Sequence, residues 1–191
     1  MKYYQGGFKI ERRCVLFTCG LLLLSSNAFA VKNYFGITPA EMKMLPKFCK
    51  VGFSGISTKE QVWMNHLCPG LNALNHAELV FGDDIKRNYA LQRSRTHFTY
   101  TLGHTQKTNR YRWFAFLKRG RAHELSSNVS AALSDYHQAL KIKPKNIKIH
   151  LALIDLFVKL GDVDKARDLV DNALKIKPNS KSLLRRKKII N

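Results

Sequence analysis

The sequence predicts an all-helical protein, a short α-solenoid of stacked helical hairpins preceded by a helical N-terminal extension. Three observations predict it. A six-residue motif near the C-terminus recurs after 34 residues, apolar residues elsewhere return every three or four positions, and helix-starting and helix-stopping residues bracket those runs. With 191 residues, 45% of them hydrophobic, the chain is long enough to bury an apolar core, which excludes a disordered protein.

Residues 1–30 read as a cleavable export signal. Lys2, Lys9, Arg12 and Arg13 precede an apolar run from Cys14 to Leu24, and Ala28-Phe29-Ala30 supplies a small-residue site, so cleavage is expected after Ala30. The apolar run is about half the ~20 residues a helix needs to span a bilayer, which argues against a retained anchor. Of 33 Lys+Arg and 13 Asp+Glu, the signal carries four and one, leaving 29 and 12, a net charge of +17 on 161 residues. A charge of that size favours polyanionic partners. An exported protein meets little nucleic acid, so anionic lipid or glycan surfaces come first.

The signal also takes away Cys14 and Cys19. Cys49 and Cys68 remain, one pair in an oxidising compartment, and a disulfide between them is expected. A metal site drawing on His66, Cys68 and His76 is the competing reading, although no His or Cys pair here has zinc-finger spacing.

Residues 31–112 form the helical extension. Thr38-Pro39-Ala40-Glu41 is a capping box with Pro at the first helical position, Pro46 ends or kinks that helix, and Ser57-Thr58-Lys59-Glu60 offers a second box. Pro69-Gly70 is expected to break the chain before Leu71. Beyond it, Leu71, Leu74, Ala77 and Phe81 recur at helical spacing, Leu79 and Val80 widen the stripe, and Gly82 is placed to end the helix. Asp83-Asp84 starts the next helix, with Ile85 and Tyr89, then Phe98 and Leu102, standing four apart. Gly103 and the polar stretch from His104 to Arg110 end the block.

Residues 113–180 hold the repeat: Ala139-Leu140-Lys141-Ile142-Lys143-Pro144 returns identically as Ala173-Leu174-Lys175-Ile176-Lys177-Pro178. A 34-residue helical unit closed by Pro resembles the tetratricopeptide repeat family, whose helix-turn-helix units bury their apolar faces on one another. In that family's frame the units run from Trp113 to Asn146 and from Ile147 to Ser180. Gly120, Ala132 and Ala139 occupy the small positions of the first, and Ile154, Ala166 and Ala173 those of the second. Gly161 supplies a turn. The departures are Arg119 at a usual Leu position, His123 at a usual aromatic one, and Ile154 at a usual small one.

Residues 181–191 read as a terminal capping helix in which Leu183, Leu184, Ile189 and Ile190 flank Arg185, Arg186, Lys187 and Lys188. The basic run has two readings. It is the polar outer face that a solenoid end needs, or it is a contact for anionic lipid or another polyanion.

The family resemblance implies a concave groove lined by the first helix of each unit. In the first unit its positions fall on Phe114, Leu117, Arg121, Glu124 and Leu125, and in the second on Lys148, Leu151, Asp155, Val158 and Lys159. That is an apolar floor with charged rims, suited to an extended or helical peptide whose carboxylates meet Arg121, Lys148 and Lys159. The family's carboxylate-clamp pattern is absent, since Leu117 and Arg121 stand where it has Lys and Asn. Residues 63–72, with Arg87-Asn88-Tyr89-Ala90-Leu91, also resemble the front half of exported tetratricopeptide proteins of Gram-negative bacteria, which implies a periplasmic location and names no reaction.

The sequence has no nucleophile elbow, phosphate loop or metal-binding helix motif, and no two of its seven His stand four apart. No catalytic residue, metal or cofactor is therefore expected. The expected role is that of an adaptor or scaffold for an unidentified protein or peptide, with an anionic lipid or glycan surface as the alternative partner.

Overall fold

The computed structural model describes residues 36–190, so the export segment over residues 1–30 and its cleavage after Ala30 lie outside the described residues. Val31–Asn191 forms a compact unit of its own. Its helices are α1 (Pro39–Met44), α2 (Lys47–Val51), α3 (Thr58–Met64), α4 (Leu67–Leu79), α5 (Asp84–His104), α6 (Arg112–Leu125), α7 (Val129–Ile142), α8 (Ile147–Lys159), α9 (Val163–Ile176) and α10 (Lys181–Ile190).

Local chemistry starts most of them. The side chains of Thr38, Ser57, Asp83, Asn128, Asn146 and Asp162 each accept a hydrogen bond from a backbone amide in the first turn that follows, and each such cap stabilises by about 1 kcal/mol. The Thr38–Glu41 box is reciprocal. The second box is half-made, because the Glu60 carboxylate turns away to accept from the Gln106 amide at 2.8 Å and from Asn109 Nδ2 at 3.3 Å. Glu60 thus ties α3 to the turn between α5 and α6.

The expected break at Pro69-Gly70 is overturned: both residues lie in the first turn of α4 and both are buried. Pro is tolerated there because first-turn amides have no helical partner to lose. Gly70 is a point of close approach. A Cβ on it would stand 2.9 Å from the Phe98 ring, and Ser94 Oγ donates to the Gly70 carbonyl at 3.0 Å, so α4 lies directly on α5. Gly103 is likewise inside α5.

The stripe expected in this region is buried only in part. Leu71, Leu74, Ala77, Phe98 and Leu102 form core, whereas Leu79, Phe81, Ile85 and Tyr89 are exposed. Those four lie at or near the α4–α5 turn, where the neighbouring segments leave hollows rather than a packed face.

From α4 onward successive helices pack as antiparallel neighbours in two layers. In one layer α4, α6, α8 and α10 touch in sequence, and α5, α7 and α9 each pack against two successive members of that row. The front half therefore does more than precede the repeats. Its α4–α5 hairpin occupies the place of a preceding unit, and the core it shares with α6 includes Ala115 and Ala122. The disulfide is present: Cys49 in α2 bonds Cys68 at the start of α4, with Cα atoms 5.7 Å apart, and staples the short helices to the stack.

Two helical hairpins, α6–α7 and α8–α9, occupy the stretch of the two units, with Ala132, Ala139, Ala166 and Ala173 fully buried. The residues that depart from the pattern have partners. A Cβ on Gly120 would stand 2.6 Å from the Tyr136 ring. In the second unit Ile154 replaces that glycine, and Val170 stands where the first unit has Tyr136, so a small–large pair is exchanged for two residues of middle size. Arg119 makes a two-pronged ion pair with buried Asp135 at 2.8 and 2.7 Å, and His123 lies 3.9 Å from the same carboxylate. Gly161 turns the chain with φ +77, while Ser127 holds the matching left-handed position in the first unit with φ +58.

Candidate functional site

The layer of α4, α6 and α8 leaves a groove of about 420 Å³. Its apolar floor comes from Phe114 and Leu117, one turn apart on the same face of α6, and from the adjacent Leu151 and Ala152 on α8. Of the groove residues that the sequence suggests, Phe114, Leu117, Arg121, Glu124, Lys148, Leu151 and Asp155 line it. Leu125, Val158 and Lys159 do not. Leu125 borders a hollow at the α4–α5 turn, Val158 one beside α10, and Lys159 is exposed at the last residue of α8.

Glu78, Lys118, Tyr136 and Ala152 join the lining and were not foreseen. Glu78 reaches in from α4. Arg121 Nε donates to Glu78 Oε1 at 2.9 Å and Arg121 Nη1 to Glu124 Oε1 at 2.8 Å, while the Tyr136 hydroxyl donates to Glu124 Oε2 at 2.8 Å. Burial, then the neighbouring Glu124 carboxylate, pushes the Tyr136 phenol far above its usual range, so it stays a donor. Arg121, expected to meet a partner's carboxylate, is thus already held by two carboxylates of its own chain. Asp155 is also taken, since Arg186 of α10 grips it through Nε and Nη2, each at 2.6 Å.

Two groove cations remain without a carboxylate among the described residues. Lys118 lies over the Phe114 ring with Nζ 5.7 Å from its centroid, and Lys148 opens the groove from the first turn of α8. Burial pushes the Lys118 ammonium below the usual lysine range; Glu78 pulls it back, and Lys148 and Arg121 add to the depression. An incoming carboxylate would relieve that cost. The groove is therefore apolar below and carries Lys118 and Lys148 above, outside any ion pair among the described residues, with its arginine and both glutamates fixed in place.

The basic run of α10 divides in two. Arg186 pairs with Asp155, and Lys187 Nζ sits 2.8 Å from Asp171, so both seal the terminal helix onto the second unit. Arg185 and Lys188 face outward. The competing metal reading loses its cysteine to the disulfide, and its histidines go separate ways. His66 Nδ1 meets His97 Nδ1 at 3.0 Å, and His76 contacts Glu41. His66, Tyr100, His104 and Trp63 stack as a ladder that packs α3 and the start of α4 on α5, away from the groove.

Residues 125–188 match the tetratricopeptide repeat family model, a span from the last residue of α6 into α10. No curated protein sequence matches the chain.

Proposed function

We propose that the chain is an exported, periplasmic, non-catalytic interaction module that holds a peptide segment of a protein partner in the groove between α6 and α8. Tetratricopeptide repeats generally mediate protein–protein interactions, and residues 125–188 match that family. The observation that carries the reading is the groove itself: an apolar floor beneath Lys118 and Lys148, two cations with no carboxylate partner among the described residues. Such a lining suits an extended or helical segment in which an apolar anchor stands beside Asp or Glu.

The test compares the protein lacking residues 1–30 with its Leu151→Lys variant as bait in periplasmic extract. The wild type is expected to retain a discrete protein at both low and moderate salt, because an apolar floor is screened less than surface charge. Leu151→Lys is expected to lose that protein while keeping its helicity, since Leu151 is only partly buried. Retention by both baits would remove the groove from the interaction.

A further inference from the structure

Charge is distributed unevenly between the two edges of the stack. Because successive helices are antiparallel, the α7–α8 and α9–α10 turns lie on one edge, and the α4–α5 and α8–α9 turns on the other. The repeated motif falls on the first edge twice. It sets out Lys141 and Lys143 at one turn and Lys175 and Lys177 at the next, and Lys145 and Lys181 follow them, all exposed and none in an ion pair among the described residues. No acidic residue lies between Asp135 and Asp155 or after Asp171. The second edge is mixed, with Asp83, Asp162 and Asp164 paired to Lys86, Lys165 and Arg167.

Helix chemistry explains part of the lysine edge. Lys141 and Lys175 occupy the last turns of α7 and α9, where the helix dipole favours a cation. Lys181, by contrast, opens α10, the dipole end that disfavours a cation, and that first turn holds no acid. Folding alone gives no reason for that placement. An anion lying against this edge would reverse its sign.

The turns also carry apolar residues between their lysines. Ile142 is half-buried between Lys141 and Lys143, and Ile176, 38% exposed, lies between Lys175 and Lys177. An apolar side chain flanked by lysines fits a bilayer interface, where it enters the headgroup region while the ammonium groups meet lipid phosphates. A nucleic acid or glycan chain gives the isoleucines nothing to enter. We infer that the edge formed by the α7–α8 and α9–α10 turns docks on an anionic membrane surface, leaving the peptide groove free.

Co-sedimentation with vesicles tests this, using the protein lacking residues 1–30, whose own apolar run would otherwise enter lipid. At low salt the protein is expected to pellet with vesicles of equal parts phosphatidylglycerol and phosphatidylcholine and to remain in solution with phosphatidylcholine alone. Replacing Lys141, Lys143, Lys145, Lys175, Lys177 and Lys181 with Gln is expected to weaken vesicle binding at least about tenfold with the helical circular dichroism unchanged. Ile176→Ser is expected to weaken vesicle binding while leaving heparin binding unaltered. Failure to bind the anionic vesicles, or equal binding by the six-Gln variant, would overturn the inference. So would Ile176→Ser binding vesicles as the wild type does, because the edge would then be a general polyanion site.

Discussion

Gly120→Ile is expected to lower the stability of the protein by about 3 kcal/mol, as measured by urea unfolding. Any side chain at this position is driven into Tyr136, whose Cε1 and Cδ1 would lie 2.6 and 2.7 Å from the new Cβ. The ring cannot yield readily. It is fully buried, and its hydroxyl is tied to Glu124. Helix propensity favours the substitution, since glycine costs about 1 kcal/mol in a helix interior, but overpacking a close contact costs about 1 to 3 kcal/mol or more and wins. The second unit indicates the remedy. There Ile154 faces the position of Val170, so adding Tyr136→Val to Gly120→Ile is expected to recover about half the loss, the remainder reflecting the hydrogen bond that Glu124 gives up. If the double variant is less stable than Gly120→Ile alone, the two positions are not exchanging volume.

Joint replacement of Cys49 and Cys68 by Ser is expected to cost about 3 kcal/mol in the chain-entropy description of a bond that closes 19 residues. The loss should fall on the front half, because α1, α2 and α3 are short and much of their core clusters around that bond. Groove affinity should change little, since Leu117 and Ala152 pack with Tyr136 and Leu153, Leu151 packs with Ile154 and Val170, and Phe114 alone of the floor residues packs against the front-half core. Unfolding followed with and without reductant checks this. A wild-type midpoint that does not move on reduction would mean that the disulfide contributes nothing to stability.

The features legible in the sequence are those with local causes. The capping residues Thr38, Ser57 and Asp83 announce helix starts, the recurrence of Ala139 to Pro144 fixes the period, and Cys49 and Cys68 are the one cysteine pair outside residues 1–30. What escaped was set by contacts between elements. The α4–α5 hairpin joins the stack with a 21-residue second helix, so it has no 34-residue echo to reveal it. Pro69-Gly70 looked like a break because the sequence does not show that Phe98 and Ser94 close over Gly70.

The groove was legible to the same extent. Family positions located its floor, yet they could not show that Arg121 is spent on Glu78 and Glu124, that Asp155 is spent on Arg186, or that Lys118 is left over. Those assignments depend on residues up to 43 positions apart meeting across helices. Arg119 and His123 read as departures, and a single buried carboxylate, Asp135, accommodates both.

The most direct test of the groove is selection from a displayed peptide library on the protein lacking residues 1–30, with affinities of the enriched peptides then measured on variants. The expected result is a family of peptides with an apolar anchor next to Asp or Glu. Their affinity should fall at least about tenfold with Leu151→Lys, and by a smaller factor with Lys118→Gln or Lys148→Gln. Peptides that bind Leu151→Lys as tightly as the wild type, or a library that enriches nothing, would contradict a peptide-binding groove between α6 and α8.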